Sequence, residues 1–340
     1  MSLEHLPELL LHRLRTLVPQ HRESLTKGLT QPRVTSFRVN TLKASVAEVA
    51  EHLREAGYDL ENAPWFTSAF YLKDPTVRQI FHPDYVDGKL YVQGLSSMLP
   101  PLVLDPQPGE NILDLTAAPG SKTTQIAALM QNQGHILGND LSPVRLFKLQ
   151  ANLKQQGVTI SQVKRGAGEM LWRKFPEQFD RTLVDVPCSM EGRINTQDPE
   201  TYEDWSLKKV KELGMRQRQL LRSAISATKP GGVIVYSTCT LSPEENEEVV
   251  QWALEKEAGK VVLEQVEIPQ LGEGTEELIT PGVNEWEGKA LSPELDKTLR
   301  IYPSPTMEGF YVAKLRKLES TVTPDSFARP ERFARRPAHR

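Results

Sequence analysis

The spacing of apolar residues changes character partway along the chain. Over residues 1–33 leucines recur at helical spacing while Glu4, His5 and Glu8 interrupt the run, which predicts amphipathic helices. The segment "PRVTSFRVNTLK" (32–43) reads as extended with a turn. In 44–58, Val46, Val49, Ala50 and Leu53 mark one helical face and Gly57 closes the helix. Residues 59–93 are aromatic and Pro-rich with strand-like pieces, "AFYLK" and "KLYVQ". Residues 1–90 are therefore expected to form a small α+β domain.

From about residue 95, apolar strands alternate with amphipathic helices. The strands are "NILDLT" (111–116), "HILGNDL" (135–141), "ISQVKR" (160–165), "RTLVDV" (181–186) and "VIVYST" (233–238). Helices are expected from Lys122, over 143–156 and over 207–229, the last stopped by Pro230-Gly231-Gly232. Another should open in "SPEENEE", with Ser242 as cap, Pro243 in the first turn and Glu245 completing a capping box. "FYVAKLRK" (310–317) is a final strand. This alternation predicts an α/β fold over 91–317, a mostly parallel sheet with helices on both faces. Residues 318–340, Pro- and Arg-rich, read as a basic disordered tail, with an arm touching RNA phosphates as the alternative.

Composition adds limits. With 39% hydrophobic and 25% charged residues among 340, the chain is globular, and a net charge of −3 does not mark a nucleic-acid binder. No apolar run reaches membrane length and the N-terminus lacks a signal-peptide pattern, so a cytoplasmic location and no membrane partner are expected. Both cysteines, Cys188 and Cys239, should then be free thiols. A monomer without a metal is expected.

Candidate chemistry gathers at strand ends. "DLTAAPGSKT" (114–123) runs strand, small-residue loop, helix, where doubly wound folds take a ligand. It is neither a P-loop, since Ser121 separates Gly120 from Lys122, nor a dinucleotide fingerprint. Asp114 ends the first strand and Asp140 the second, the latter placed to accept hydrogen bonds from ribose hydroxyls. "DVPCS" and "YSTCT" end the fourth and fifth strands, which puts both thiols on that same rim beside Asp185 and Lys122.

The segments "FRVNTLK", "LYVQGLSSMLPPLVL", "DLTAAPGSKTTQ", "DVPCSMEG", "QDPETYEDW", "QRQLLRSAISATKPGGVIVYSTCTLSPEENE" and "MEGFYVAKLRK" stand in one order across about residues 36–317. In this the chain resembles the Nol/Nop/Sun RNA cytosine 5-methyltransferases, most of all their bacterial ribosomal-RNA branch. The resemblance implies a Rossmann-like class I methyltransferase sheet and S-adenosylmethionine as cofactor. It places that cofactor at Ala117, Ala118, Pro119, Gly120, Ser121, Lys122, Thr123, Asp140, Arg145, Ala167 and Asp185. It further implies that Cys239 attacks carbon 6 of cytosine, that Cys188 assists product release, and that Asp185 with Lys122 stabilises the ring. Ala167 stands where the family has an Asp, and Met190 where Ser-Gly-Glu-Gly is usual.

RNA is the implied partner, ribosomal first and transfer RNA next. A basic surface is expected from Lys208, Lys209, Lys211, Arg216 and Arg218 on the long helix, with Arg33, Arg38 and Lys43 as a second cluster. The competing reading is an RNA-binding ribosome-assembly factor that has lost turnover. An amino-group methyltransferase would need Asp/Asn-Pro-Pro-Tyr/Phe after strand four, where this chain has Asp-Val-Pro-Cys.

Overall fold

A computed structural model describes residues 3–18, 22–268 and 279–323, so most of the expected tail lies outside the described residues. Two helices lead, α1 (Glu8–Leu17) and α2 (Arg22–Thr30). Their apolar faces, Leu10, Leu14, Leu25 and Leu29, pack on Ile194, Leu241 and Tyr302, far along the chain. Arg13 of α1 pairs with Glu244 and Glu287, each at 2.6 Å, with its guanidinium 4.9 Å from the Trp286 ring centre. The leading helices thus brace the segment that follows Cys239.

Next come β1 (Ser36–Val39), α3 (Val46–Glu55), β2 (Leu60–Asn62), β3 (Ala69–Leu72), the short α4 (Pro83–Val86) and β4 (Leu90–Val92). The strands pair antiparallel in the order β2-β3-β1-β4. Val49, Ala50 and Leu53 of α3 cover Phe37, Val39, Phe70 and Leu90, and the Ser45 hydroxyl caps the helix at Glu48 N–H.

Helix α5 (Leu95–Leu104) was not legible in the sequence, because Pro100 and Pro101 sit inside it. It is buried nearly all round, and the Ser97 carbonyl, which Pro101 cannot bond, accepts from Gln93 Nε2 at 3.0 Å.

The large sheet is built from β5 (Asn111–Asp114), α6 (Ser121–Leu129), β6 (His135–Asp140), α7 (Pro143–Gln155), β7 (Ser161–Arg165), β8 (Phe179–Asp185), α8 (Leu207–Ala227), β9 (Thr228–Thr238) and α9 (Glu247–Lys256). There follow β10 (Val261–Glu264), β11 (Ile279–Pro281), the β12–β13 hairpin (Glu285–Trp286, Lys289–Ala290), β14 (Leu299–Ile301) and β15 (Phe310–Lys317). Among the described residues its order is β11-β14-β15-β9-β8-β5-β6-β7, with β10 also on β15. From β7 to β9 neighbouring strands run parallel, and β15 joins β9 antiparallel. Strand order reverses between β5 and β8, the switch point at which such sheets bind ligands beyond their carboxyl ends.

Two expectations need correction. The helix expected in "SPEENEE" begins only at Glu247, as α9, and Ser242 and Glu245 do not cap it. Their side chains are drawn to groups behind the thiols instead, Ser242 to Glu191 and Glu245 to Ser189 and Gln217. Of the N-terminal basic cluster, Lys43 is exposed and Arg33 half-buried, but Arg38 is no part of a surface. Arg38 is buried, donating to Gln93 Oε1 (2.9 Å), Thr124 Oγ1 (2.5 Å) and the Ser121 carbonyl (3.2 Å), with Tyr91 against its guanidinium. Burial lowers its pKa to about 10, which leaves it charged at neutral pH. Lys43 donates to the Asp87 and Gln155 carbonyls, and Arg33 to those of Gly192 and Ile194.

Arg38 therefore joins the small sheet to the first turn of α6. Arg38→Met leaves Gln93 and Thr124 without their donor and should cost roughly 2–3 kcal/mol. The expected readout is a lower urea midpoint with an unchanged slope of free energy against denaturant.

Candidate active site

The loop after β5 turns on Gly120, whose φ of +111° suits glycine and whose added Cβ would lie 2.8 Å from Leu149 Cδ1. Side chains of α7 hold this loop by its carbonyls: Arg145 donates to Ala118 and Asn152 Nδ2 to Pro119 (2.8 Å), while Ala117 N–H bonds to the Asn139 carbonyl (2.8 Å). Asp114, by contrast, is wholly buried and accepts from Thr123 Oγ1 (2.6 Å); burial raises its pKa to about 6. It fastens the loop to α6.

Lys122, in the first turn of α6, donates to Asp185 Oδ2 at 2.6 Å and to Ser97 Oγ at 2.9 Å. Asp185 ends β8 and its other oxygen accepts from Ser237 Oγ of β9 (2.8 Å). The pair expected from sequence is thus formed, 9% and 30% exposed at the two side chains, so Asp185 is the member that meets solvent.

The two thiols meet. Cys188 and Cys239 have their sulfurs 3.3 Å apart, with Cys188 buried and Cys239 half-buried. Their loops are stitched together: Val186 N–H to Ser237 O, Gly192 N–H to Cys239 O (both 3.0 Å), and Ser189 Oγ to Thr240 Oγ1 (2.7 Å). Two buried carboxyls complete the seam. Glu191 accepts from Ser242 Oγ (2.6 Å), Leu241 N–H (3.3 Å) and Trp205 Nε1 (2.8 Å). Glu245 accepts from the Ser189 hydroxyl, Ser189 N–H (3.1 Å) and Gln217 Nε2 (2.7 Å). The hydrogen bond to Cys239, burial and the nearby Glu245 push the Cys188 thiol well up.

A cleft of about 340 Å³ opens beside this rim, lined among others by Thr116, Asn139, Asp140, Arg145, Gly168 and Arg216. Asp140 is buried, accepts from Ser142 N–H (2.9 Å) and lies 3.4 Å from Arg145 Nη1. Asn139 Oδ1 is buried without a hydrogen-bond partner among the described residues, while its Nδ2 donates to the Leu115 (3.0 Å) and Gly166 (3.1 Å) carbonyls. Ala167 is exposed at the start of the turn carrying Gly168, and Glu169 pairs with Arg216 at 2.7 Å. Arg216 therefore belongs to the cleft and not to the outer basic face. On that face Lys208, Lys209 and Lys211 are exposed, Lys208 lies 3.9 Å from Glu212, and Arg218 is 3.4 Å from Glu248. A larger hollow of about 770 Å³, lined by Phe81, Tyr85 and Val86, shares no residue with the thiol site.

Glu191, Glu245, Gln217, Ser97 and Arg193 escaped the sequence reading. The two glutamates carried a signal, an acid three residues after Cys188 and another six after Cys239. Glu245 was absorbed into a capping pattern that the fold does not use.

Burial raises the Glu245 pKa to about 8. Being raised, it gives most stability below the unfolded carboxyl's value, and that stability is lost as pH climbs through about 8. Glu245→Gln cannot ionise, so its urea stability relative to the native chain should rise between pH 5 and pH 8.5; a pH-independent difference would contradict the buried neutral acid.

Residues 101–316 match the family model for the 16S rRNA methyltransferase RsmB/F, and residues 6–94 that for the N-terminal domain of 16S rRNA methyltransferase RsmF. A tRNA (cytosine(49)-C(5))-methyltransferase of Pyrococcus abyssi (strain GE5 / Orsay) is 43% identical over 85% of this chain and 90% of its own length. Ribosomal RNA small subunit methyltransferase F of Aliivibrio fischeri (strain MJ11) is 37% identical over 98% of the chain, which spans 68% of that relative. A crystal structure of a methyltransferase homolog protein from Pyrococcus horikoshii superposes with a TM-score of 0.79 at 32% identity, covering 94% of this chain and all of that one. With its sheet, its rim of paired thiols and these matches, the chain belongs to the RsmB/F methyltransferase family.

Proposed function

We propose that this protein methylates carbon 5 of a cytosine in RNA with S-adenosylmethionine as donor, through a covalent adduct on Cys239. The observation that carries this reading is the pair of sulfurs 3.3 Å apart beside the Lys122–Asp185 pair. Carbon 5 of cytosine is a poor nucleophile, and addition of a thiolate to carbon 6 makes it enamine-like, dividing one hard step into easier ones.

The loop Ala117–Thr123 with Asp140, Arg145 and the Ala167–Gly168 turn would hold the cofactor. The acid at Asp140, which lines the cleft, suits the adenosine's donors. Bound there, S-adenosylmethionine supplies an electrophilic methyl group. Cys239 forms the bond to carbon 6. Asp185, held by Lys122 and Ser237, accepts from the exocyclic amino group and orients the ring, while the Lys122 ammonium beside it offsets the negative charge that thiolate addition puts on the ring. After carbon 5 is methylated, Cys188 in its thiolate form takes the carbon 5 proton, the C–H electrons form the ring double bond, and the bond from carbon 6 to Cys239 breaks with its electrons leaving on sulfur. The raised proton affinity of Cys188 suits it to proton transfer in that release and not to attack. Such a site takes only an unpaired or flipped-out base.

Ribosomal RNA is supported by the match of residues 6–94 to the RsmF N-terminal domain, and transfer RNA by the archaeal relative matched over 90% of its length. Methyl transfer to total ribosomal and transfer RNA followed by bisulfite mapping tests the activity and names the target. An assembly factor without turnover would bind RNA but give no calorimetric signal with S-adenosylmethionine. Cys239→Ala should abolish transfer, whereas Cys188→Ala should accumulate a covalent protein–RNA adduct resistant to denaturing gels. An adduct on Cys239→Ala instead would reverse the two roles.

A further inference from the structure

The residues joining the two thiol loops carry a second functional element. Gly192 is wedged: its N–H bonds to Cys239 O (3.0 Å), its carbonyl accepts from Gly309 N–H (2.9 Å), and an added Cβ would lie 2.0 Å from Gly309 O. The next residue, Arg193, therefore leaves the backbone from a fixed point beside the half-buried thiol. Its Nε donates to Glu308 Oε2 at 3.2 Å, and Glu308 is itself anchored through its carbonyl to Ser96 Oγ (2.7 Å). The Arg193 side chain is 48% exposed, and among the described residues its two Nη groups have no protein partner. Behind it, Arg33 donates to the carbonyls flanking Arg193, those of Gly192 (2.8 Å) and Ile194 (3.3 Å), and adds a second positive charge.

Burial acts to lower the Arg193 pKa, but Glu308, Cys239, Asp185 and Cys188 outweigh it, so one guanidinium lies within electrostatic reach of both thiols and of Asp185. Those are the groups that a cytosine ring must touch in this pocket. A base inserted there carries its sugar and phosphate with it, and the half-exposed guanidinium beside those groups has its Nη fork free to meet them. Carboxylate on Nε with two Nη groups free is the geometry of an oriented guanidinium that can take phosphate oxygens end-on. The lysines of α8 offer charge without orientation.

We propose that Arg193 binds a phosphodiester of the target nucleotide, with Glu308 aiming its fork and Arg33 reinforcing the charge. This rests on reading the thiol rim as an RNA cytosine pocket. It makes Arg193 a substrate-binding group that registers the backbone while Asp185 reads the base.

The test uses the full chain and a ten-nucleotide oligocytidylate, with affinity followed by fluorescence anisotropy across a salt series. Arg193→Ala should weaken binding about tenfold and flatten the slope of log affinity against log salt by about 0.7, the share of one phosphate on a single strand. Arg193→Lys should keep the slope and lose part of the affinity. In the Cys188→Ala background, Arg193→Ala should slow adduct formation at low oligonucleotide and recover at saturation. Slopes and affinities equal to those of the native chain would overturn the proposal, with melting temperatures showing that each variant is folded. If the native chain forms adduct and Arg193→Ala is unchanged, the phosphate contact fails and the cytosine reading stands. If no chain transfers methyl or forms adduct yet the slope still falls, the cytosine reading fails and the contact stands.

Discussion

The whole site depends on the parallel register of β8 against β9, which sets Asp185 opposite Ser237. From that pairing each strand runs on by a few residues into its own loop, and the two loops carry Cys188 and Cys239 to within 3.3 Å. Because side chains alternate faces along a strand, a one-residue slip would send Asp185 to the other face of the sheet and part the thiols. The seam of Glu191, Glu245, Ser189, Thr240 and Ser242 extends this registration past the ends of the strands, where no ladder remains. Both acids accept several donors, the condition under which a buried carboxyl specifies one arrangement of its neighbours.

Much of this was legible before any coordinates. Apolar runs and amphipathic spacing located β5 through β9 and their helices within a few residues, and "DVPCS" and "YSTCT" after strands implied a shared rim. What stayed hidden has physical causes. Pro100 and Pro101 disguise α5, a helix whose loss of backbone donors is offset by Gln93 and by burial. Arg38 looks like a surface charge because charge says nothing about partners, and its partners are a carbonyl, an amide and a hydroxyl supplied from distant parts of the chain. Ser242 and Glu245 match a cap motif locally, but a tertiary network claims their side chains first.

Charge at the rim is distributed with similar economy. Lys122 is committed to Asp185 and Arg145 to Asp140 and Ala118, each within its own half of the site. Among the cations named around the thiols, Arg193 alone combines a fixed base with exposed donors. Met190 stands at the same loop in the left-handed region, φ +60°, a conformation that costs an L-residue about 1 kcal/mol relative to glycine. Its side chain is exposed, 47% accessible.

The contact between Gly192 and Gly309 bears on the order of events at the ribosome. Gly309 precedes β15, the last strand of the sheet among the described residues, and β15 lies against β9 along most of its length. Strand β9 and both cysteines are synthesised well before the segment that closes the wall beside them. The wall beside the thiols, Gly309 against Gly192, is therefore among the last parts of the site to be made, and it is complete only once β15 has docked on β9.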